Sequence, residues 1–199
     1  MSTDKYDRTA ASWTARQYAD SATYLRRRAD LIAPGLASGD LVLDLACGDG
    51  GLGAALEARG LRYRGVDANA AMVAEARSHG VEAALGDLND FVPDEPVAAT
   101  TLFRALYYAR DRAAFFAHVA AYTEHKLVFD VNPRQYALAD VVHDLRSAGF
   151  AHVEARPFFV PQRVSLGPLA PVAAAAERLE PLARAILRFR FTYVVSAFS

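Results

Sequence analysis

"VLDLACGDGGLG", residues 42–53, is the stretch whose reading decides the fold. Gly48-x-Gly50-x-x-Gly53 has the spacing of a dinucleotide-binding fingerprint, in which a strand turns sharply into a helix. The same letters also place an acid, Asp44, at the end of an apolar run just before the glycine turn. Both readings require strand, turn and helix in that order. The glycines therefore predict the local fold and leave the ligand open between a nicotinamide or flavin and a cationic nucleoside.

Outward from this stretch, strand and helix patterns alternate. Residues 41–45 are continuously apolar apart from Asp44, as a strand covered on both faces requires. Helical patterns over 51–59 and 69–79 close at Gly60 and Gly80, with strands at 62–67 and 81–87 around them. A strand at 97–103 follows a loop holding Pro93 and Pro96, and Asp111 is placed to cap a helix over 112–123. A strand at 126–131, a helix at 134–148 and strands at 152–160 and 189–198 complete the series. This alternation predicts a doubly wound α/β sheet, with a terminal strand free to run antiparallel.

Two helical segments flank the core. Tyr18, Ala22, Leu25, Ala29 and Ile32 recur at steps of three and four, giving a helix over 9–33 that stops at Pro34-Gly35. Leu169, Val172, Ala176, Leu179, Leu182 and Ile186 form a second stripe within 161–188, where Pro181 kinks or divides the helix. That segment is either a packing appendage or a lid. The expected organisation is one domain over 1–199, with 1–35 as an N-terminal helical lid and 161–188 as an insertion between the sixth and seventh strands.

The bulk numbers agree with a packed domain. The chain has 199 residues, 53% hydrophobic and 23% charged, with a formal net charge of −1. That balance gives no electrostatic footprint for nucleic acid or an anionic membrane. Arg26-Arg27-Arg28, the densest basic run, reads as a solvated helix face. A single cysteine, Cys47, forbids an intrachain disulfide and offers no metal-ligand spacing. The N-terminus has no apolar signal core, and no stretch approaches the ~20 apolar residues of a membrane span. A cytoplasmic protein, monomer or homodimer, without metal, is the expectation.

Charge separates the two ligand readings. A pyrophosphate wants helix N-terminal amides with no carboxylate nearby, yet Asp44 and Asp49 flank the turn. Like charges so placed cost about 1–4 kcal/mol at close range. S-adenosylmethionine reverses the sign, because its sulfonium and ammonium outweigh its one carboxylate. Asp67 lies 19 residues after Gly48, at the end of the second strand, where a carboxylate takes both hydroxyls of a ribose. Asp87, closing the third strand, stands where an adenine amino group would lie. Gly48 and Gly50 would let the backbone approach the ligand, and Gly53 would allow close helix packing.

On these residues the sequence resembles the class I S-adenosylmethionine-dependent methyltransferases, particularly their small-molecule branch. "VLDLACGDG" is similar to that family's glycine-rich motif, "GVDANAAMVAEAR" (65–77) to its second motif and "ALGDL" (84–88) to its third. The resemblance covers about residues 10 to 160. One departure is Ala46, which stands where the family usually has the first glycine of the turn. The resemblance implies a Rossmann-like sheet of seven strands in the order 3-2-1-4-5-7-6, the last antiparallel. It also implies that Asp44 holds the methionine ammonium through water, with Ala46, Gly48 and Gly50 under the cofactor. Asp67, with Ala68 beside it, would bind the ribose, Met72 would pack near the adenosine, and Asp87 and Leu88 would meet the adenine. The first helix, with Tyr6, Trp13 and Tyr18, would fold over the cofactor; Tyr18 and Arg104 complete the expected cofactor contacts.

Ligands in this architecture bind beyond the carboxyl ends of the strands, which directs the search for the acceptor to 103–111 and 130–134. Tyr107, Tyr108, Asp130 and Arg134 are the catalytic candidates there, with Arg104 and Asn132 beside them. Tyr107 and Tyr108 either line an aromatic acceptor pocket or pack under the first helix. Arg134 either binds an anionic acceptor or is an ordinary residue at a helix N-terminus. No Asn/Asp-Pro-Pro-Tyr stretch follows the fourth strand, which disfavours amino methylation of nucleic-acid bases. The expected function is O- or N-methylation of a small metabolite, such as a sugar or natural-product intermediate. The alternatives are a noncatalytic cofactor-binding protein on the same fold and an NAD-dependent oxidoreductase.

Overall fold

The computed structural model describes residues 7, 9–14, 20–158 and 192–199. Tyr6, Tyr18 and the 161–188 segment lie outside the described residues. The strands are β1 (Leu41–Leu45), β2 (Arg62–Asp67), β3 (Glu82–Leu85), β4 (Val97–Leu102), β5 (Thr123–Val131), β6 (His152–Phe158) and β7 (Thr192–Phe198). The helices are α1 (Ser21–Ile32), α2 (Gly53–Glu57), α3 (Ala70–Ser78), α4 (Arg112–Ala120) and α5 (Leu138–Ser147). All seven strands form one sheet in the order β3-β2-β1-β4-β5-β7-β6. The first five are parallel neighbours, and β7 runs antiparallel to both β5 and β6. Fold class, order and the antiparallel last strand agree with expectation.

Alternation along the strands sorts the core into two layers. Leu41, Leu43 and Leu45 of β1 join Phe115, Phe116 and Phe129 in one cluster, beside α4 and α5. Val42 of β1, Ala99 of β4 and Val128 of β5 face the other cluster, with Ile32, Leu56 and Ala76 from α1, α2 and α3. Asp44, Thr101 and Asp130 sit two residues beyond Val42, Ala99 and Val128, so they share that second face. The layer under α1 thus ends in polar groups at the carboxyl ends of three central strands.

Several boundaries differ from the sequence reading. The continuous helix expected over 9–33 is broken at Asp20, whose φ of −138° is extended and whose carboxylate accepts from Thr23 N. An N-cap starts a helix afresh, so α1 begins at Ser21. Residues 10–12 form a separate 3-10 turn. The helix expected from 134 begins at Leu138, because Asn132 holds a turn by accepting from the backbone of Arg134, Gln135 and Tyr136. Asp111 caps α4 as expected, accepting from Ala114 N at 3.0 Å.

Candidate functional site

A cavity of about 520 Å³ opens beyond the carboxyl ends of β1 to β4. Its size falls in the roughly 300–1,000 Å³ range of small-molecule sites. On the β1 side the chain turns through left-handed backbone at Ala46 (φ 55°), Gly48 (φ 59°) and Gly50 (φ 71°). Only glycine adopts this conformation without steric cost, so Ala46 is strained where the other two are not.

The two glycines of the turn have different reasons for lacking a side chain. A Cβ on Gly48 would come within 3.0 Å of the Trp13 ring, which rests on the turn at the cavity wall. A Cβ on Gly50 would instead meet Val81 at 2.6 Å and Ala76 at 3.0 Å. Gly50 serves the packing of α3 and β3 and does not line the cavity, contrary to its expected place under the ligand. Gly53 likewise faces Val81 and Tyr63, as expected of a helix-packing glycine.

Asp67 ends β2 with both carboxylate oxygens oriented. Oδ2 accepts from Gly48 N and Oδ1 from Asn69 N, each at 2.9 Å. Burial raises its pKa, and these two amide donors oppose that rise. Asp44 lies beneath the turn, 5% exposed, accepting from Thr101 Oγ1 at 2.6 Å and Tyr63 Oη at 3.0 Å. Burial dominates there and pushes its pKa to about 6. Burial, with Asp44 and Asp67 nearby, also pushes the Cys47 thiol up, so the cysteine is an inert wall residue.

Asp49, the other acid of the turn, points away from ligand chemistry. It accepts from Thr14 N at 2.8 Å and Thr14 Oγ1 at 2.5 Å. Asn69 Nδ2 donates to Asp7 Oδ1 at 2.8 Å. The N-terminal segment is therefore tied to the β1 turn and to the β2 turn, with Trp13 and Thr14 among the cavity walls.

At the β3 end, Asp87 Oδ1 accepts from Asn89 N and Nδ2, while Oδ2 takes a guanidinium nitrogen of Arg110 at 2.7 Å. The Asn89 amide contributes most to holding this carboxyl below its usual range. Ala68, Met72 and Leu88 complete that end as apolar wall, and Met72 is buried.

At the β4 end, Arg104 is also left-handed, with φ 56°. Asp130 Oδ1 accepts its amide at 2.5 Å, and Oδ2 stands 3.6 Å from the Arg28 guanidinium. Arg28 Cζ lies 4.0 Å from the Tyr24 ring centre and 3.8 Å from that of Phe103. Tyr107 and Tyr108, in a 3-10 turn after β4, have ring centres 4.3 Å apart. Both line the cavity, and Tyr107 is 50% exposed.

Of the residues expected from sequence, Asp44, Ala46, Gly48, Asp67, Ala68 and Met72 line the cavity. So do Asp87, Leu88, Arg104, Tyr107 and Tyr108. Two catalytic candidates are corrected. Asp130 sits behind the wall, engaged by Arg28 and the Arg104 amide, and is no base for an acceptor. Arg134 is exposed, away from the cavity, because the Asn132 turn delays α5. Tyr18 lies outside the described residues. Arg28 corrects the solvated-face reading of the arginine run, being 7% exposed and part of the cavity wall. The available signal was its place four residues after Tyr24 and four before Ile32, both on the buried stripe. Among the described residues no cluster of His, Cys, Asp or Glu could hold a metal ion.

Residues 42–126 match the family model described as a methyltransferase domain. Magnesium protoporphyrin IX methyltransferase from Synechocystis PCC 6803, solved with bound S-adenosylmethionine, aligns with a TM-score of 0.61 and 19% identity, over 87% of this chain and 78% of that one. A TehB-like S-adenosylmethionine-dependent methyltransferase from Corynebacterium glutamicum aligns with a TM-score of 0.66 and 16% identity, over 100% and 99%. The [4+2]-cyclase SpnF aligns with a TM-score of 0.68 and 16% identity, over 99% and 94%. No curated protein matches the chain.

Proposed function

We propose that this chain, a class I S-adenosylmethionine-dependent methyltransferase by fold and domain, methylates a small molecule held beside Tyr107 and Tyr108. The observation that carries the reading is Asp67. Its carboxylate is fixed by two backbone amides at the edge of the cavity, with lone pairs remaining for vicinal hydroxyls. Gly48, Trp13 and Met72 line the cavity with it, and the residues present fit a nucleoside.

The dinucleotide alternative finds little support in the turn. Gly50 N and Gly53 N bond to Cys47 O and Gly50 O, and Gly51 N bonds to Asp49 Oδ1, leaving no open row of amides for a pyrophosphate. Asp44, ionised above pH 6, favours a cation above it. Asp87 keeps lone-pair capacity at the far end for an exocyclic amine.

Bound S-adenosylmethionine supplies a sulfonium-activated methyl group. The protein's part is then alignment, which supplies much of the rate in such an in-line displacement. Tyr107 and Tyr108 give the acceptor an aromatic wall with hydroxyls able to orient its nucleophile. Asp130 is committed elsewhere, so the reading favours acceptors that ionise or attack unaided over those needing a strong base. The cyclase on the same fold supports keeping a second reading, cofactor binding without methyl transfer. No described helix is long and apolar enough to cross a membrane. A cytoplasmic metabolite acceptor belongs to the proposal.

Calorimetry with S-adenosylhomocysteine, followed by a metabolite panel assayed for S-adenosylhomocysteine release, tests it. Binding with turnover of a panel member supports methyl transfer. NAD binding without S-adenosylhomocysteine binding overturns the reading, and binding without turnover of any class favours the second one.

A further inference from the structure

We infer that Asn89 is a positioning residue for the acceptor: its side-chain amide fastens the Tyr107–Tyr108 wall to the Asp87 turn. This rests on the reading above, with the cofactor's base at Asp87 and the acceptor at the tyrosines, and adds the residue that joins them.

The wall needs support from outside its own turn. Tyr107 and Tyr108 stand in a 3-10 turn of three residues, Leu106–Tyr108, between β4 and α4. Tyr108 N bonds to Ala105 O and Ala109 N to Leu106 O, a run too short to gain from helical cooperativity. Asn89, which also lines the cavity, braces it. Asn89 Nδ2 donates to Tyr108 O at 3.2 Å, and Asn89 Oδ1 accepts from Arg110 N at 2.9 Å. One side-chain amide thus pairs with the backbone on both sides of Ala109, as a neighbouring strand would. Its partners are 19 and 21 residues away in sequence, so this is a tertiary link and no local turn.

The same side chain also holds the acid. Asn89 Nδ2 donates to Asp87 Oδ1 at 2.7 Å, so its two N–H bonds divide between the carboxylate of one loop and the carbonyl of the other. Arg110 runs in parallel, donating to Asp87 Oδ2 at 2.7 Å and Asp90 Oδ2 at 3.0 Å. Those ion pairs are exposed and contribute little, whereas Asn89 is half-buried. A contiguous hydrogen-bond network transmits the effect of a ligand where it reaches both sites, as Asn89 does. Without its side chain, Asp87 keeps Asn89 N and Arg110 as donors. Asn89→Ala therefore frees the wall from the turn without unmaking the turn.

The test follows amide hydrogen exchange at Arg110, Gly48 and Asn69 under saturating S-adenosylhomocysteine or its 6-deamino analogue, which lacks only the exocyclic amine of the base. In wild type, S-adenosylhomocysteine is expected to slow exchange at Arg110 by about tenfold and the analogue by less than about threefold. Both should protect Gly48 and Asn69 alike. In Asn89→Ala, exchange at Arg110 should quicken and cease to respond to S-adenosylhomocysteine, while Gly48 and Asn69 stay protected. For a panel compound that wild type methylates, the variant should raise its KM about tenfold and leave the KM for S-adenosylmethionine within about threefold. If Asn89→Ala does not fold, Asn89→Ser decides by the same comparison. Equal protection of Arg110 by the two ligands, or a variant that keeps the ligand response, overturns the assignment. Absence of turnover across the panel counts against methyl transfer alone, and the exchange comparison then decides the role of Asn89. Failure of wild type to bind S-adenosylhomocysteine refutes the cofactor reading and this assignment with it.

Discussion

The two ends of the cavity hold their carboxylates by different means. Over β2 and β3, Asp67 and Asp87 are each fixed by the amide two residues ahead, Asn69 N and Asn89 N, at 2.9 Å. These are local Asx turns, formed wherever the chain bends at those letters, while the second oxygen of each acid takes a more distant donor, Gly48 N for Asp67 and Arg110 for Asp87. Over β5, Asp130 is fixed by Arg104 and Arg28, which are 26 and 102 residues away in sequence. The first kind of site is written in spacing, and the second exists only once α1 packs on the sheet. Substitutions should separate them.

The largest effect is expected at the turn the first end shares with the N-terminal segment. Gly48→Val introduces a branched side chain at φ 59° and drives it against Trp13. Backbone strain and a displaced Trp13 together should weaken S-adenosylhomocysteine binding by about 100-fold. Calorimetry on a variant shown to be folded by circular dichroism measures this; an affinity within threefold of wild type would remove the turn from the binding site. Asp67→Asn comes next, with an expected loss above about tenfold, because hydrogen bonds to a charged group contribute roughly 1.5–3 kcal/mol. The amide retains one acceptor for the turn, so folding should survive. An unchanged dissociation constant would sink the ribose assignment.

The legibility of the molecule follows the same division. The glycine turn, the strand order and Asp44, Asp67 and Asp87 were all readable, since each depends on neighbours within a turn or on a resemblance carried by contiguous motifs. Gly50 misled because spacing cannot say whether a missing side chain faces ligand or core, and Val81 lies across the fold. Arg134 misled because Asn132 reorganises the start of α5. Asp130 was found but its role was not, since its partners lie on α1 and after β4. Arg28 was hidden by its exposed neighbour Arg26: a run of like residues on a helix is distributed around the axis, and composition alone does not show which one turns inward.

A titration sharpens the comparison from underneath the turn. Asp44 is buried with a pKa raised to about 6, so it is protonated below that pH and charged above it. A ligand ammonium favours the charged form and lowers the pKa in the complex. Affinity for S-adenosylhomocysteine should therefore rise as pH increases through about 6, by up to about tenfold between pH 5 and 7, with proton release on binding. Asp44→Asn should abolish the slope. A flat profile in wild type would mean that Asp44 is a structural acceptor for Thr101 and Tyr63 and senses no cation.

The smallest expected effect is at Ala46, and it concerns stability. Ala46 has φ 55°, which costs a residue with a Cβ about 1–2 kcal/mol. Glycine removes that penalty but gives up roughly 0.5–1 kcal/mol through the greater freedom of the unfolded chain. The difference leaves Ala46→Gly more stable by about 0.5 kcal/mol, an increase in Tm of about 1–2 °C for a chain of this size. Arg104 has nearly the same φ, 56°, just past the end of the neighbouring strand β4, with its amide held by Asp130. Arg104→Gly keeps that amide, so the same backbone gain should appear, reduced by whatever packing its side chain provides. Thermal melts of both variants, alone and combined, measure the coupling between the two turns, which follow paired positions of adjacent strands. A fall in Tm for Ala46→Gly would show that the alanine methyl packs well enough to outweigh its strain.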